Sequence, residues 1–195
     1  VLEPETDIET TIAFPLFTKP LYEGTSKGIS EDAIIYRKDE LITRTKWLWS
    51  EYDQPVLLEK YLPGREFTVG ILGTGKDARV LGMMEVLLNE GGKIYGFREK
   101  ENYTRLVSYK FDIETALCEK LAKMALASWR TLECRDGGRV DIRLDENGDP
   151  HVLELNTLPG LHFRDSDLTI IAHSIEMSFV ELIDEILHHA MKRMK

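Results

Sequence analysis

Cysteine is scarce in this chain of 195 residues, which contains only Cys118 and Cys134. Their separation fits neither a zinc motif nor a redox motif, so we expect two buried, reduced thiols of the cytosolic kind. Long hydrophobic runs and a signal peptide are also missing, which predicts a soluble, cytoplasmic protein without a membrane span. Basic residues are too few to offset the acidic ones, 25 against 34, and the net charge of −9 argues against nucleic-acid binding.

Short apolar runs in mixed order with helical patterns predict an α+β fold with antiparallel sheets. Residues 1–13 are acidic and rich in threonine at first, so we expect an extension or linker at the start of a chain cut from something longer. The predicted strands cover residues 14–20, 34–36, 56–62, 66–72, 79–88 and 93–97. The predicted helices cover residues 39–52, with Asp39 as N-cap, 112–131 and 177–194.

The most informative segment surrounds Asn147-Gly148, the preferred dipeptide of a two-residue type I′ hairpin turn. Such a turn places Asp141 opposite Glu154, and Arg139 opposite Asn156 on the same face, because side chains alternate along a strand with a period of two. The other face carries an apolar core pattern of Val140, Ile142, Leu144, Leu153 and Leu155.

This register predicts a metal site at Asp141, Glu154 and Asn156. Two carboxylates directly opposed on a sheet repel each other by roughly 0.2–1 kcal/mol, which favours a bound cation between them. Ligands that are all oxygen point to Mg²⁺ or Mn²⁺ and not to zinc. The alternative is an acidic hairpin face without a metal, neutralised by Arg139 and Arg143.

A second region has the composition of a loop that binds phosphate through backbone N–H groups and a cation. Lys19 ends the first strand, and Glu-Gly-Thr-Ser-Lys-Gly follows at residues 23–28, without Walker A spacing. Residues 59–62 could present backbone groups to an adenine edge, and Glu66 could accept hydrogen bonds from a ribose. The alternative for each is an ordinary surface turn or a solvated acid.

Three segments in this order resemble the ATP-grasp module of the D-alanine–D-alanine ligase family. They are Phe17-Thr-Lys-Pro with residues 23–28, Leu58-Glu-Lys-Tyr-Leu-Pro-Gly-Arg-Glu-Phe-Thr-Val-Gly-Ile-Leu-Gly73, and Gly138-Arg-Val-Asp-Ile-Arg-Leu followed by Val152-Leu-Glu-Leu-Asn-Thr-Leu-Pro-Gly160. The resemblance implies two lobes with antiparallel sheets flanked by helices, a partial first lobe at residues 14–63 and a second at 64–195, with ATP held between them. It also implies an ATP-dependent ligase that forms a C–N bond through an acyl phosphate, which an amine then attacks.

The resemblance further implies roles for individual residues. The implied ATP contacts are Lys19 on the α/β-phosphates, Thr25 and Ser26 in the mobile phosphate loop, Glu59, Lys60, Tyr61 and Leu62 in the adenine hinge, Glu66 on the ribose, and Lys100 on the γ-phosphate. Asp141, Glu154 and Asn156 are implied as Mg²⁺ ligands, with Glu154 bridging two ions. Arg139 and the backbone N–H of Gly160 would stabilise the tetrahedral intermediate, and Ser26 joins them as a catalytic residue.

The chain departs from the family pattern on the substrate side. The family's N-terminal domain has no counterpart here, so we expect a fragment that needs this missing partner for turnover. The Ser-Leu-x-Pro stretch that holds the second D-alanine is replaced by residues 161–168, with Asp165 and Ser166 near the serine's place, and the loop tyrosine is Glu101. We expect small amino-acid-like substrates and a homodimer like that of family members. The alternatives are a ligase with another amino-acid or hydroxy-acid acceptor and a non-catalytic nucleotide-binding module.

Overall fold

The computed structural model describes residues 1–4, 6–24, 26–88 and 107–194, and the chain divides into two compact units. Among the described residues, the first unit contains Val1–Pro63 with Leu88, Val107 and Ser108, and the second contains Gly64–Leu87 together with residues 109–194. The strand predicted at 93–97 lies outside the described residues. The limits of the two predicted lobes stay a prediction. In the described part of the chain, no helix is both long and apolar enough to cross a membrane.

The first unit is built on a three-stranded antiparallel sheet in the order β2-β1-β3. Its elements are β1 (Leu16–Pro20), a 3-10 turn (Glu31–Ala33), β2 (Ile34–Ile35), α1 (Lys38–Tyr52) and β3 (Val56–Lys60). The buried core between α1 and the sheet contains Leu16, Ile35, Leu41, Leu48, Val56 and Leu58.

Helix α1 begins one residue earlier than predicted, and Asp39 is not its N-cap. The N-cap position is Arg37, whose side chain makes no capping hydrogen bond. Glu40, in the first turn, accepts a hydrogen bond of 2.8 Å from the backbone N–H of Tyr36, the residue before the N-cap. Asp39 lies in the first turn, where its negative charge still opposes the positive end of the helix dipole favourably.

The segment predicted as an extension or linker contributes to the core of the first unit. Leu2 forms an isolated antiparallel bridge with Val56, closed by backbone hydrogen bonds of 2.8 and 2.9 Å. Its side chain is buried beside Leu16. A pairing between residues so far apart in the chain has no local sequence pattern, which is why the prediction did not contain it.

The second unit is organised by a five-stranded sheet in the order β6-β5-β4-β7-β8. Its elements are β4 (Glu66–Leu72), a 3-10 turn (Gly75–Asp77), β5 (Arg79–Leu88), β6 (Val107–Lys110), α2 (Thr115–Thr131), β7 (Gly137–Leu144), β8 (Pro150–Asn156), α3 (Asp167–Ser174) and α4 (Phe179–Arg193). The bounds of β4 and β5 agree with the prediction. Helix α4 begins at Phe179 because Ser178 and Glu181 form a capping box.

Helices pack on both faces of this sheet. On one face, α2 buries Leu121, Ala125 and Trp129 against the apolar residues of β4 and β7. The indole N–H of Trp129 donates to the carbonyl of Gly73 at 3.0 Å, which satisfies its polar group in the core. On the other face, α3 approaches so closely that a Cβ on Gly82 would lie 2.8 Å from the side chain of Ile171. The candidate site lies on this second face.

The β7-β8 hairpin has a longer turn than predicted. The N–H of Asp145 donates to the carbonyl of Asp149 at 2.9 Å, so residues 146–148 form a three-residue loop that ends with Gly148 at a φ of +82°. The type I′ prediction is wrong because Asp145 Oδ1 accepts the N–H groups of Asn147 and Asp149, at 2.8 and 2.9 Å, and stabilises the longer loop. Glycine suits the left-handed residue that closes such loops.

A β-bulge restores the predicted register at the far end of the hairpin. Ile142 pairs with Val152, but Asp141 pairs with Glu154, so Leu153 is an extra residue on β8. The prediction that Leu153 faces the core is wrong: its side chain is 40% exposed, and Val152 packs against the core instead. The extra residue in the turn shifts the strand register by one residue, and the extra residue in the bulge shifts it back.

Candidate functional site

Three neighbouring strands bring the predicted metal ligands and Arg139 together. Asp141 on β7 lies between Thr68 on β4 and Glu154 on β8, and Arg139 lies beside Asn156 in the adjacent row. The predicted pairing of Asp141 with Glu154, and of Arg139 with Asn156, is therefore confirmed. Because side chains alternate along each strand, all five project from one face of the sheet.

Asp141 is the centre of the hydrogen-bond network on this face. Its Oδ1 accepts from the hydroxyl of Thr68 at 3.0 Å, and its Oδ2 accepts from Asn156 Nδ2 at 3.0 Å and from Arg139 Nε at 3.3 Å. The same Asn156 Nδ2 donates to Glu154 Oε1 at 3.1 Å. The amide thus lies between the two carboxylates, where their repulsion is greatest.

The electrostatics of the site show an excess of negative charge around Asp141. Burial raises the pKa of the Asp141 carboxyl to about 7, against the opposing charge of Arg139 and with the help of Glu154 and Asp167. Burial would lower the pKa of Arg139, but the three carboxylates outweigh it and raise that pKa. A bound cation would stabilise the ionised form of Asp141.

The side chains of the candidate set are chemically suited to a hard divalent cation, although one of them is an amide and not an acid. Across the described residues, no group of three or more His, Cys, Asp or Glu side chains is arranged to hold a metal ion. The candidate set of Asp141, Glu154 and Asn156 has two carboxylates and an amide, and the amide also carries an oxygen acceptor. Oxygen donors of this kind suit Mg²⁺ and Mn²⁺.

Two residues of the site were missed from the sequence. Thr68 lies two positions after Glu66 on β4, so the period of two could have placed it on the site face. Asp167, the first residue of α3, accepts a hydrogen bond from Arg139 Nη1. No local sequence pattern predicts this contact, because it depends on how α3 packs onto the sheet.

Gly160 and the loop that follows it lead from β8 to α3. The backbone N–H of His162 donates to Ser166 Oγ at 2.7 Å, and the N–H of Asp165 points to His162 Nδ1 at 3.2 Å. A Cβ on Gly160 would lie 3.0 Å from Ser166 Oγ, so a larger residue would press on this loop. Hydrogen bonds within the loop hold its shape, and the loop connects the predicted metal ligands of β8 to Asp167.

Glu66, predicted to bind a ribose, lies on the same face as Asp141 but in the row with Arg143. Arg143 Nη1 contacts Glu66 Oε2 at 3.1 Å, and Arg143 Nε donates to the carbonyl of Gly64 at 3.2 Å. The side chains of Arg143 and Glu66 are 14% and 18% exposed, so this ion pair is partly buried. Arg139 contacts Asp141, whereas Arg143 pairs with Glu66.

In the first unit, the structure pairs two predicted nucleotide-binding residues with each other. Lys19 Nζ lies 2.6 Å from Glu59 Oε2, across the β1-β3 pair. Lys60 at the end of β3 is exposed, and Leu62 is partly buried. Tyr61 is buried, and its N–H donates to the carbonyl of Pro15 at 3.1 Å. The segment 59–62 is therefore anchored at Tyr61, with the charged residues Glu59 and Lys60 before it and the apolar Leu62 after it.

The described residues of the predicted phosphate loop make local contacts with one another. Ser26 has a φ of +59°, its carbonyl accepts the N–H of Ile29 at 3.1 Å, and Lys27 pairs with Glu23 at 3.3 Å. Arg44, which the sequence analysis did not single out, donates to the carbonyl of Gly28 at 2.6 Å. The predicted residues Thr25 and Lys100 lie outside the described residues.

A cavity of about 940 Å³ in the first unit does not coincide with these residues. It is lined by the 3-10 turn, β2 and α1, with Arg44 and Trp47 among its side chains. None of the described residues predicted to bind ATP lines it. The predicted site residues and this cavity thus lie in different places.

Comparisons with known proteins agree on one family. The family model described as D-ala D-ala ligase C-terminus matches residues 2–188. The D-alanine–D-alanine ligase of Bordetella avium is 31% identical over 186 residues, which is 94% of this chain and 56% of that protein. This chain therefore spans little more than half the length of the curated relatives it matches.

Solved structures give the same result. The D-alanine–D-alanine ligase of Bacillus anthracis, complexed with ATP, has a TM-score of 0.75 at 26% identity, over 98% of this chain and 58% of that one. The VanG D-Ala:D-Ser ligase of Enterococcus faecalis has a TM-score of 0.73 at 27% identity, over 92% of this chain and 50% of that one. Since the family model covers nearly every residue and the folds agree, this chain belongs to the D-alanine–D-alanine ligase C-terminal family and has its ATP-grasp fold.

Proposed function

We propose that this chain is the ATP-dependent catalytic portion of a carboxylate–amine ligase of the D-alanine–D-alanine ligase type. The observation that carries the proposal is the arrangement around Asp141. This carboxylate contacts Arg139 and Asn156, and Glu154 lies directly opposite it on β8. Two directly opposed carboxylates beside a partly buried guanidinium would not stabilise a sheet face that had only a structural role. A face that meets phosphate, cation and a developing oxyanion needs all of them.

ATP is the proposed first substrate. Lys19, Thr25, Ser26 and Lys100 would meet the phosphates, residues 59–62 the adenine and Glu66 the ribose. The Lys19–Glu59 contact of 2.6 Å supports a place for Lys19 in such a site, because it holds the ammonium group at a defined position on the sheet. The ATP complex of the Bacillus anthracis relative supports the same nucleotide.

Mg²⁺ or Mn²⁺, as two ions, is the proposed metal, with Asp141, Glu154 and Asn156 as ligands. When bound, these ions would neutralise the negative charge on the transferred phosphoryl group. Thr68 and Arg139 would orient the Asp141 carboxylate through their hydrogen bonds, as outer residues commonly orient metal ligands.

The proposed reaction has two steps. A substrate carboxylate oxygen attacks the γ-phosphorus of ATP, and ADP leaves with the electrons of the broken P–O bond. The nitrogen of a neutral amine then attacks the carbonyl carbon of the acyl phosphate. Phosphate leaves with the electrons of the C–O bond and takes up one proton from nitrogen. Arg139 and the backbone N–H of Gly160 would donate hydrogen bonds to the oxyanion between these events.

The proposed substrates are small and amino-acid-like, and the acceptor need not be D-alanine. The loop at residues 161–166 and the start of α3 differ from the family pattern where the second D-alanine is held. Within this family the acceptor varies, as the name of the D-Ala:D-Ser ligase shows for that protein. Turnover would require an additional N-terminal domain, and the complete protein would be a homodimer.

Calorimetric titration of the chain with ATP, with and without Mg²⁺, tests the proposal. Mg²⁺-dependent binding is expected, and Glu154→Gln should weaken it about tenfold or more, because one ligand charge is lost. Glu119→Gln is the matched control, since Glu119 is an exposed glutamate on α2, which covers the opposite face of the sheet. ATP binding that does not depend on Mg²⁺, or that weakens equally in both variants, would argue for a nucleotide-binding module that does not catalyse ligation.

A further inference from the structure

Two buried polar side chains contact the predicted phosphate loop, residues 23–28, one near each end. Arg44 lies within α1, and Gln54 follows the last residue of that helix by two positions. Arg44 is 8% exposed and Gln54 is 9% exposed, so both side chains are withdrawn from water. Because burying a polar group is costly unless it is hydrogen-bonded, the partners of these two side chains indicate what they do.

Gln54 holds the first end of the loop through both atoms of its amide. Its Oε1 accepts the backbone N–H of Tyr22 at 2.6 Å, and its Nε2 donates to Glu23 Oε1 at 3.2 Å. The other carboxylate oxygen of Glu23 lies 3.3 Å from Lys27 Nζ. The start of the loop is thus tied to the end of α1.

Arg44 holds the second end of the loop. Its Nη2 donates to the carbonyl of Gly28 at 2.6 Å and to Ser30 Oγ at 3.4 Å. The guanidinium lies 4.3 Å from the centroid of the Trp47 ring, a cation–π contact that restrains its orientation. Gly28 has a φ of +72°, and a Cβ there would lie 2.7 Å from the ring of Pro20. The end of the loop is therefore closely packed as well as hydrogen-bonded.

We infer that Arg44 and Gln54 are positioning residues, which keep the predicted phosphate loop in the conformation that binds the phosphates of ATP. This inference rests on the proposed function. A loop that binds phosphate through its backbone N–H groups gains affinity when those groups are ordered before the ligand arrives. The cost of ordering the loop is then met by folding and is not subtracted from binding. Both residues act through the loop, and neither is assigned a contact with the nucleotide.

Both residues also stabilise the fold, because removing one partner of a buried hydrogen bond costs free energy. A loss of stability alone would lower the fraction of folded protein and weaken the binding of ATP and adenosine by the same factor. Adenosine has the base and the ribose of ATP but no phosphates. The ratio of the two affinities therefore reports on the loop, and a role in stability does not change it.

The test titrates the full chain with Mg²⁺–ATP by calorimetry and measures adenosine by competition with ATP. Arg44→Met should weaken ATP binding by about tenfold and adenosine binding by about twofold or less, because only ATP has phosphates for the loop to bind. Gln54→Leu, which removes both amide hydrogen bonds, should act in the same way. Arg44→Lys should recover part of the lost ATP affinity, since lysine keeps a cationic donor.

The variant that combines Arg44→Met with Gln54→Leu tests whether the two residues act together. It should bind ATP within about threefold of the weaker single variant, because releasing one end already frees the loop. Lys46→Met is the matched control, since Lys46 is an exposed lysine on α1 and its loss removes the same charge from the same helix. The control should leave both affinities unchanged, and thermal melts should show that every variant is folded.

Three results would each overturn the inference: an unchanged ATP affinity in Arg44→Met, an equal weakening of ATP and adenosine, or the same loss in Lys46→Met. Fully additive losses in the combined variant would overturn the joint action of the two residues. Failure of the parent chain to bind Mg²⁺–ATP would instead overturn the proposed function itself, and this inference with it.

Discussion

The hydroxyl of Thr68 on β4 donates a hydrogen bond of 3.0 Å to Oδ1 of Asp141 on β7. Thr68 is 4% exposed and Asp141 is 9% exposed, so the contact is made inside the protein. It leaves Oδ2 of Asp141 to Arg139 and Asn156, the residues of the proposed reaction. Thr68 therefore fixes the rotation of the central carboxylate.

Thr68→Val, which keeps the shape and removes the donor, should weaken binding of Mg²⁺–ATP by about tenfold, in the range of outer-residue effects on metal sites. Calorimetry measures this. Thr169→Val is the matched control: Thr169 Oγ1 is buried with no hydrogen-bond partner among the described residues. That variant should bind as the parent does. Equal weakening of both variants would attribute the effect to general destabilisation and not to Asp141.

Arg65, the residue before β4, forms a bidentate ion pair with Glu85 on β5. Arg65 Nε and Nη2 each donate to Glu85 at 2.7 Å, and the Glu85 side chain is 6% exposed. Arg65→Met should lower the free energy of unfolding by about 1–3 kcal/mol, because it leaves a buried carboxylate without its partner. Urea unfolding measures it. Glu114→Gln should cost less than about 1 kcal/mol, since the Glu114 side chain is 62% exposed.

The bulge on β8 gives two neighbouring residues, Val152 and Leu153, different degrees of burial. Val152 packs against the core, whereas Leu153 is 40% exposed. Leu153→Ser should change the free energy of unfolding by no more than about 0.5 kcal/mol, as expected for a surface position. Val152→Ala should lower it by about 1 kcal/mol, because buried methyl groups are lost. The opposite order in urea unfolding would mean that the strand pairs without the bulge.

Asp136 makes stability depend on pH in the acid range. Arg193 Nε donates to its carboxylate at 2.8 Å, and this guanidinium lowers the pKa of Asp136 below its usual value. The stabilisation is full above the unfolded pKa of about 3.9 and is lost as the pH falls through the lower, folded pKa. Asp136→Asn should thus be less stable than the parent near neutral pH, and the difference should shrink below about pH 4.

Urea unfolding between pH 7 and pH 2 measures this difference. Asp184→Asn is the control, because Asp184 is an exposed aspartate on the same helix as Arg193. Its difference from the parent should stay small at every pH. A constant deficit for Asp136→Asn down to pH 2 would mean that the contact with Arg193 stabilises the protein without depending on ionisation of Asp136.

The hairpin shows how far local patterns reach. Alternation along β7 and β8 was enough to put Asp141, Glu154, Arg139 and Asn156 on one face, as the structure confirms. The turn and the position of Leu153 were both wrong, by one residue each. Turn type depends on side-chain contacts such as those of Asp145, and a bulge depends on how the strand packs, so neither is written in the alternation itself.

The sequence by itself determined the family, the α+β class, the strands β4 and β5 and the composition of the proposed metal set, because periodicity and motif spacing are local properties. Only the tertiary structure decided which groups meet: Leu2 with Val56, Lys19 with Glu59, Thr68 with Asp141 and Asp167 with Arg139. These contacts join residues from separate elements. Their partners are chosen by how helices and sheets pack, and that packing is a property of the whole chain.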